Sequence, residues 1–195
     1  MTYQLTEDWF NWAPPVWERL NGMLPAHRKF LEIGSYEGRS MIWIAENMAD
    51  KKDSCEIYCV DTWGGGEEHG KHDMQAVEAR FDYNRRAVMD SIASMEVFKR
   101  KGLSVTHLAA LAGEQFDFIY IDGSHVARDV LTDACMAWPL LKPGGIMVFD
   151  DYLWGEPRDS LHRPKVAVDA FLNIFAEQLE IVNLAYQAAI QKRMS

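Results

Sequence analysis

The sequence predicts an α/β fold, a doubly wound sheet with helices on both faces, layered helix, sheet, helix. Three observations carry this. Short apolar runs alternate along the chain with stretches that have helical spacing. Two of the runs, FDFIYID and IMVFDD, are nearly continuously apolar between polar boundaries, as strands covered on both faces are. A length of 195 residues suits one domain with a single sizeable core. Residues 1–195 are therefore expected to form one domain, with 1–25 as an N-terminal helical cap.

Taken in order, Trp9 to Leu24 reads as one or two short helices broken at Pro14-Pro15. HRKFLEIG is a short apolar run ended by Gly34, a buried strand, and Ser40 to Ala49 has the spacing of a helix. CEIYCVD forms the second strand and is closed by the loop TWGGGEEHG. A long helix is expected from about Met74 to Met95, then a weak strand in EVFKRKG and a short helix around His107 to Ala112. FDFIYID is the clearest strand and belongs at the centre of the sheet. Helix 126–140 follows, KPGG makes a turn, and IMVFDD makes another buried strand. A polar loop with Pro157 and Pro164 leads to helix Val166 to Ala176, and LEIVNLAY with AAIQK reads as a terminal strand pair.

Composition narrows the function classes. Lys and Arg number 20 against 29 Asp and Glu, a formal net charge of −9. Such a field repels phosphate backbones and anionic lipid, so neither nucleic acid nor a membrane surface is expected as a partner. The three cysteines, Cys55, Cys59 and Cys135, have no disulfide-scaffold spacing. Cys55 and Cys59 lie in an apolar run and read as reduced core thiols. No basic n-region precedes an apolar h-region at the N-terminus, and nowhere do 18 uncharged apolar residues run together, so a cytoplasmic location is expected.

In a doubly wound sheet ligands bind at the carboxyl ends of the strands, and polar residues stand there. The first strand ends in Glu32-Ile33-Gly34-Ser35-Tyr36-Glu37-Gly38-Arg39-Ser40, a glycine turn opening a helix. Gly34 and Gly38 allow close backbone approach, and Ser40 can hold a carboxylate or phosphate. The spacing is G-x-x-x-G, neither a dinucleotide fingerprint nor a P-loop. The second strand ends in Asp61, an acceptor suited to ribose hydroxyls, followed by Trp63, which could flank a nucleoside. Asp122 ends the clearest strand, and Asp150 and Asp151 end the next. Three converging carboxylates repel one another unless a cation sits among them or some stay protonated, and oxygen ligands suit Mg²⁺. His125, three positions after Asp122, is a candidate general base.

These residues resemble a known family, the class I S-adenosylmethionine-dependent methyltransferases, and within it the small metal-dependent sugar O-methyltransferases of the macrocin, mycinamicin and cephalosporin-hydroxylase-like type. The resemblance runs from about Phe30 to Phe171 and is carried by LEIGSYEGRS, VDTWGG, FDFIYIDGSH and WPLLKPGGIMVFDDY in that order. It implies a Rossmann-like sheet, mostly parallel with an antiparallel C-terminal strand. It implies S-adenosylmethionine as cofactor, with Glu32, Gly34, Ser35, Gly38 and Ser40 around its methionine part, Asp61 on the ribose, Ser104 flanking the adenine, and Asp122 beside it. It further implies a divalent metal, Mg²⁺ first, held by Asp122, Asp150 and Asp151, and catalysis by His125 with Asp122. The macrolide enzymes carry Glu then Asp where this chain has Asp-Asp.

The expected partner is a small-molecule methyl acceptor, sugar-like or aromatic. Its contacts would come from the N-terminal aromatic segment and from the loops Trp63 to His72 and Tyr152 to Arg163, with Trp9, Trp12, Trp17, His69, His72, Tyr152 and Trp154 able to stack on or bond it. Two alternatives stay open, an NAD-dependent oxidoreductase and a noncatalytic nucleoside-cofactor-binding protein. A metal-dependent hydrolase is weaker, since it leaves the nucleoside pocket unexplained. The terminal strand pair and the aromatic N-terminus could each form a dimer interface, so a homo-oligomer is also left open.

Overall fold

A computed structural model describes residues 2–66, 69–70, 72–155 and 159–194. Parts of both expected acceptor loops, 67–68, 71 and 156–158 with Pro157, lie outside these residues. The strands are β1 (Lys29–Ile33), β2 (Cys55–Asp61), β3 (Met95–Lys101), β4 (Phe116–Ile121), β5 (Leu141–Phe149), β6 (Leu179–Leu184) and β7 (Ala188–Lys192). They form one sheet in the order β3-β2-β1-β4-β5-β7-β6. All pairings are parallel except those of β7, which runs antiparallel to both β5 and β6. The expected fold class is thus the observed one. Strand order reverses between β1 and β4, so the loops after these strands diverge and leave a crevice at the carboxyl edge.

Among the described residues six α-helices cover the two faces: α1 (Pro14–Asn21), α2 (Arg39–Trp43), α3 (Met74–Ser91), α4 (Ser104–Ala110), α5 (Ala127–Ala137) and α6 (Pro164–Ile174). One core joins the sheet to α4, α5 and α6 through Leu108, Val130, Phe171 and their neighbours. The opposite core joins it to α1, α2 and α3 through Trp17, Met41 and Phe81. The entirely buried β4 divides them, sending Ile119 and Ile121 into the first and Phe118 and Tyr120 into the second. This alternation is why its sequence reads as continuously apolar.

Several boundaries differ from expectation for local reasons. Pro14 and Pro15 open α1 rather than break a helix, because the missing N–H of a first-turn proline has no intrahelical partner to lose. The helix expected from Ser40 to Ala49 is α2 followed by a π-helical turn, Ile44–Met48. The Asp73 carboxylate accepts from the N–H groups of Gln75 and Ala76 and so starts α3 at Met74. That helix stops at Ser91, since Met95 already pairs with Cys55 in the sheet. The KPGG segment is not a free turn: it lies within β5, and the irregular register between Phe116 and Phe118 absorbs it. Cys55 and Cys59 are buried and Cys135 is exposed, all as free thiols. Among the described residues no helix is long and apolar enough to cross a membrane.

Candidate functional site

The carboxyl edge between β1 and β4 opens into a cavity of about 1050 Å³, lined by the N-terminal segment, the loops after β1, β2, β3, β4, β5 and β6, and the start of α5. Its floor is the loop after β1. Gly34 adopts φ +86°, and a Cβ there would stand 2.0 Å from the backbone oxygen of Asp122. The glycine therefore lets the loops after β1 and β4 pass in contact, a packing reason beside the close ligand approach expected of it. Gly38, at φ +84°, turns toward Met41 and Phe81 and does not line the cavity. Asp61 staples the same floor: one carboxylate oxygen accepts from the N–H groups of Ser35 (2.8 Å) and Tyr36 (2.9 Å), the other from Trp63 N–H (2.6 Å).

Beneath this floor Glu32 is fully buried between Cys59 on β2 and Tyr120 on β4. Its Oε1 accepts from the Ser40 hydroxyl, while its Oε2 and the Ser35 hydroxyl have no well-formed hydrogen bond. Burial in an apolar layer disfavours the charged form and pushes this carboxyl up to about 7. Of the expected cofactor residues, Gly34, Ser35, Ser40, Asp61, Ser104 and Asp122 face the cavity, whereas Glu32 and Gly38 lie behind its wall.

The acidic wall is organised around a tyrosine. The buried Tyr120 hydroxyl meets both Asp122 (3.0 Å) and, more closely, Asp150. Burial and the neighbouring carboxylates Asp150 and Asp151 raise Asp122 well above the ordinary carboxylate range. Burial first, then Asp151, pushes Asp150 up to about 6. The Asp151 oxygens are taken by His125 Nε2 (2.8 Å) and the Tyr186 hydroxyl (2.7 Å). Asp151 holds φ +54°, a left-handed conformation rare for a non-glycine residue, with its N–H bound by the Asp150 carboxylate at 2.7 Å. Trp154 covers the imidazole of His125 at 4.3 Å between ring centroids.

The expected Mg²⁺ ligands Asp122, Asp150 and Asp151 are engaged by the protein's own hydrogen-bonding groups. The three carboxylates do gather, but the Tyr120 hydroxyl meets Asp122 and Asp150, Gln187 and the Asp151 N–H donate to Asp150, and Asp151 turns to His125 and Tyr186. Hydrogen-bond donors thus fill the space among the oxygens that a hard cation needs. Among the described residues no group of three His, Cys, Asp or Glu side chains is arranged to hold a metal.

The N-terminal segment roofs the cavity as an extended strap. Thr6 donates through its N–H (2.6 Å) and hydroxyl (2.7 Å) to the buried Glu37 carboxylate. Asn84 exchanges two hydrogen bonds with the backbone of Gln4, and Arg39 donates to the Glu7 carbonyl. The strap brings Trp9 over Tyr36 (5.0 Å) and His69 (5.7 Å), while Trp12 meets Tyr186 edge-on at 4.7 Å. Trp9, Trp12, His69 and Trp154 line the cavity, and His72 bonds the Tyr36 hydroxyl at 2.7 Å behind them. Three expected aromatics do not reach it. Trp17 is a core residue bound to Gln187, Trp63 is buried against Phe81, and Tyr152 is buried with its hydroxyl on Asp169. Apolar rings beside a large sheet gain more by filling its core than by lining a wet loop.

Comparison with known proteins agrees with this geometry. A family model described as a methyltransferase domain matches residues 31–152. An uncharacterized protein, y4gI of Sinorhizobium fredii (strain NBRC 101917 / NGR234), is 25% identical over 124 residues, which are 64% of this chain and 13% of that protein. The chain thus spans about an eighth of that curated relative. Among solved structures, the O-methyltransferase NovP superposes with a TM-score of 0.67 at 16% identity, covering 91% of this chain and 78% of NovP. The O-methyltransferase TomG of Streptomyces achromogenes, solved with S-adenosylmethionine, gives 0.63 at 15% identity over 92% of this chain and 80% of its own. An O-methyltransferase of Bacillus cereus, solved with S-adenosylhomocysteine, gives 0.59 at 18% identity over 98% and 84%. At these identities the structural likeness establishes the fold, the family match covers well over half of the chain, and the resemblance read from LEIGSYEGRS to FDDY holds at both levels: the chain belongs to the methyltransferase-domain family and has the class I methyltransferase fold.

Proposed function

We propose that this chain transfers the methyl group of S-adenosylmethionine to a hydroxyl of a small sugar-like or aromatic acceptor, with His125 as general base and Asp151 as the residue that orients it. The observation that carries this reading is the His125–Asp151 pair at 2.8 Å, facing a cavity large enough for a nucleoside cofactor and a small acceptor together. The cofactor suits its wall. The Ser35 hydroxyl and Glu32 Oε2 lack well-formed bonds beside the expected methionine position, and Asp61, with three N–H donors on four acceptor positions, retains one for a ribose hydroxyl. When bound, S-adenosylmethionine supplies a methyl on a positively charged sulfur, an electrophile needing no further activation.

The chain's own residues must align the acceptor oxygen and take its proton. With Asp151 holding the imidazole at Nε2, His125 accepts the hydroxyl proton while the new oxygen–carbon bond forms and the sulfur–carbon bond breaks. The Asp151 carboxylate then stabilises the imidazolium, and Trp154 fixes the plane of the ring. Holding the reactants at near-attack distance accounts for roughly 7 to 11 kcal/mol of barrier in favourable cases. Asp122 and Asp150 act as a proton-sharing brace through Tyr120, and no step is routed through a metal, since the protein's own donors engage these carboxylates. The flat rings of Trp9, Tyr36 and Trp12 offer stacking surfaces for the acceptor.

Calorimetry with S-adenosylhomocysteine tests the cofactor, and a screen of hydroxyl acceptors with labelled methyl donor tests the reaction. Binding of NADH in place of S-adenosylhomocysteine would overturn the reading in favour of an oxidoreductase.

A further inference from the structure

Tyr186 stands in the turn between β6 and β7, on the antiparallel side of the sheet and beyond the residues 31–152 that the methyltransferase-domain model matches. It is 37% exposed, so its ring adds little to the core, yet it lines the cavity and its hydroxyl donates to Asp151 Oδ1 at 2.7 Å. The other oxygen of the same carboxylate, Oδ2, meets His125 Nε2 at 2.8 Å. An aspartate carboxylate turns easily about its terminal bond, so one imidazole contact does not fix its plane. Two contacts on opposite oxygens do. The backbone of Asp151 is set separately, by its φ of +54° and by the N–H bound to Asp150.

Tyr186 is itself anchored on two sides. The next residue, Gln187, is 1% exposed, and its side chain is tied to Trp17 and Asp150. Its carbonyl accepts from the Asn183 amide and from the Ala185 N–H, which closes the turn. On the cavity side the Tyr186 ring meets Trp12 edge-on at 4.7 Å. Trp12 belongs to the strap seated on Glu37 and Asn84. Contiguous contacts thus join the roof of the proposed acceptor space to the carboxylate behind the proposed base. We infer that Tyr186 is a positioning residue: its hydroxyl sets the rotation of Asp151 so that Oδ2 faces His125, and Trp12 keeps the phenol ring where that bond forms. The inference rests on the His125–Asp151 reading above and adds to it a residue from the far end of the chain. Loss of one such hydrogen bond corresponds to about a fivefold change in rate.

The test reads the imidazole directly. Long-range proton–nitrogen correlation spectra of the ¹⁵N-labelled full chain at pH 7, detected on the carbon-bound ring protons, report the surroundings of the ring nitrogens, and His125→Ala identifies the His125 signals by their loss. Asp151→Asn is expected to move the His125 nitrogen shifts. Tyr186→Phe, which keeps the ring against Trp12 and removes only the hydroxyl, should move them in the same direction, and Trp12→Leu should do so by less. With the acceptor that the labelled-methyl screen returns, Tyr186→Phe should lower kcat about fivefold and leave the acceptor KM within about twofold. An unchanged circular-dichroism melt shows that a variant is folded. Wild-type His125 shifts in folded Tyr186→Phe overturn the assignment and leave the His125–Asp151 pair standing. Wild-type shifts in Asp151→Asn overturn both. Should Tyr186→Phe not fold, Trp12→Leu decides: displaced His125 shifts support the assignment and wild-type shifts overturn it.

Discussion

Replacing Glu32 by Gln probes the buried polar layer under the cavity floor. In the folded chain this carboxyl titrates near 7 instead of its ordinary 4.5, chiefly because burial removes water from the charged form. Ionising it in the folded state is therefore harder than in the unfolded state by roughly 3 kcal/mol. Between pH 4.5 and 7 the folded chain holds the proton that the unfolded chain releases, so the wild-type stability contributed by Glu32 is present below pH 4.5 and is lost as pH rises through 7. Glutamine fills the same volume, stays neutral at every pH and can still accept from Ser40. Urea unfolding at pH 5 and pH 8 measures the outcome: relative to wild type, Glu32→Gln should gain roughly 2 to 3 kcal/mol on going from the lower to the higher pH. Taking the difference between the two proteins at each pH cancels Asp122 and Asp150, which titrate in both. A variant whose stability difference is the same at the two pH values would refute the reasoning, since Glu32 would then carry no pH-dependent burial penalty.

The proposed base is expected to be exposed by kinetics: His125→Ala should lower kcat by about 10²- to 10⁴-fold at saturating acceptor, with calorimetric affinity for S-adenosylhomocysteine unchanged. Asp151→Asn should lower kcat less and also shift the acid limb of the pH profile to lower pH, because an amide no longer stabilises the imidazolium; an unchanged profile would remove Asp151 from its orienting role. Titrating Mn²⁺ while following its electron paramagnetic resonance should leave the free-ion signal intact at micromolar concentrations, and a bound fraction lost in Asp150→Ala would restore the metal triad. Gly34→Ala would place a Cβ 2.0 Å from the Asp122 carbonyl oxygen in a left-handed backbone, so a loss of more than about 3 kcal/mol of stability is expected in denaturant titration; a near-neutral result would show that the two loops are not in contact.

Much of the fold was legible because its signals are local. The continuous apolar character of FDFIYID identified the central strand, and the terminal strand pair followed from two short apolar runs, while its antiparallel direction came from the family resemblance. Boundaries were lost where the deciding interaction is nonlocal or finer than periodicity. KPGG looks like a turn until β4 supplies a partner with an irregular register, and Trp17 looks like an acceptor contact until it is seen against Phe118 and Tyr120.

What the amino-acid sequence determined by itself is therefore the order of strands and helices and the placing of acidic and imidazole groups at strand ends, because hydrophobic period and chain order express both. Only the tertiary structure decided what those groups do to one another. That Asp151 meets His125, and that Asp61 meets the N–H groups of Ser35 and Tyr36, depends on ångström-scale distances between loops far apart in the chain, set by Gly34 against Asp122 and by the left-handed turn at Asp151. Hydrogen bonds and charge interactions fall off over those distances, so residue types in sequence name the participants and packing assigns the partners.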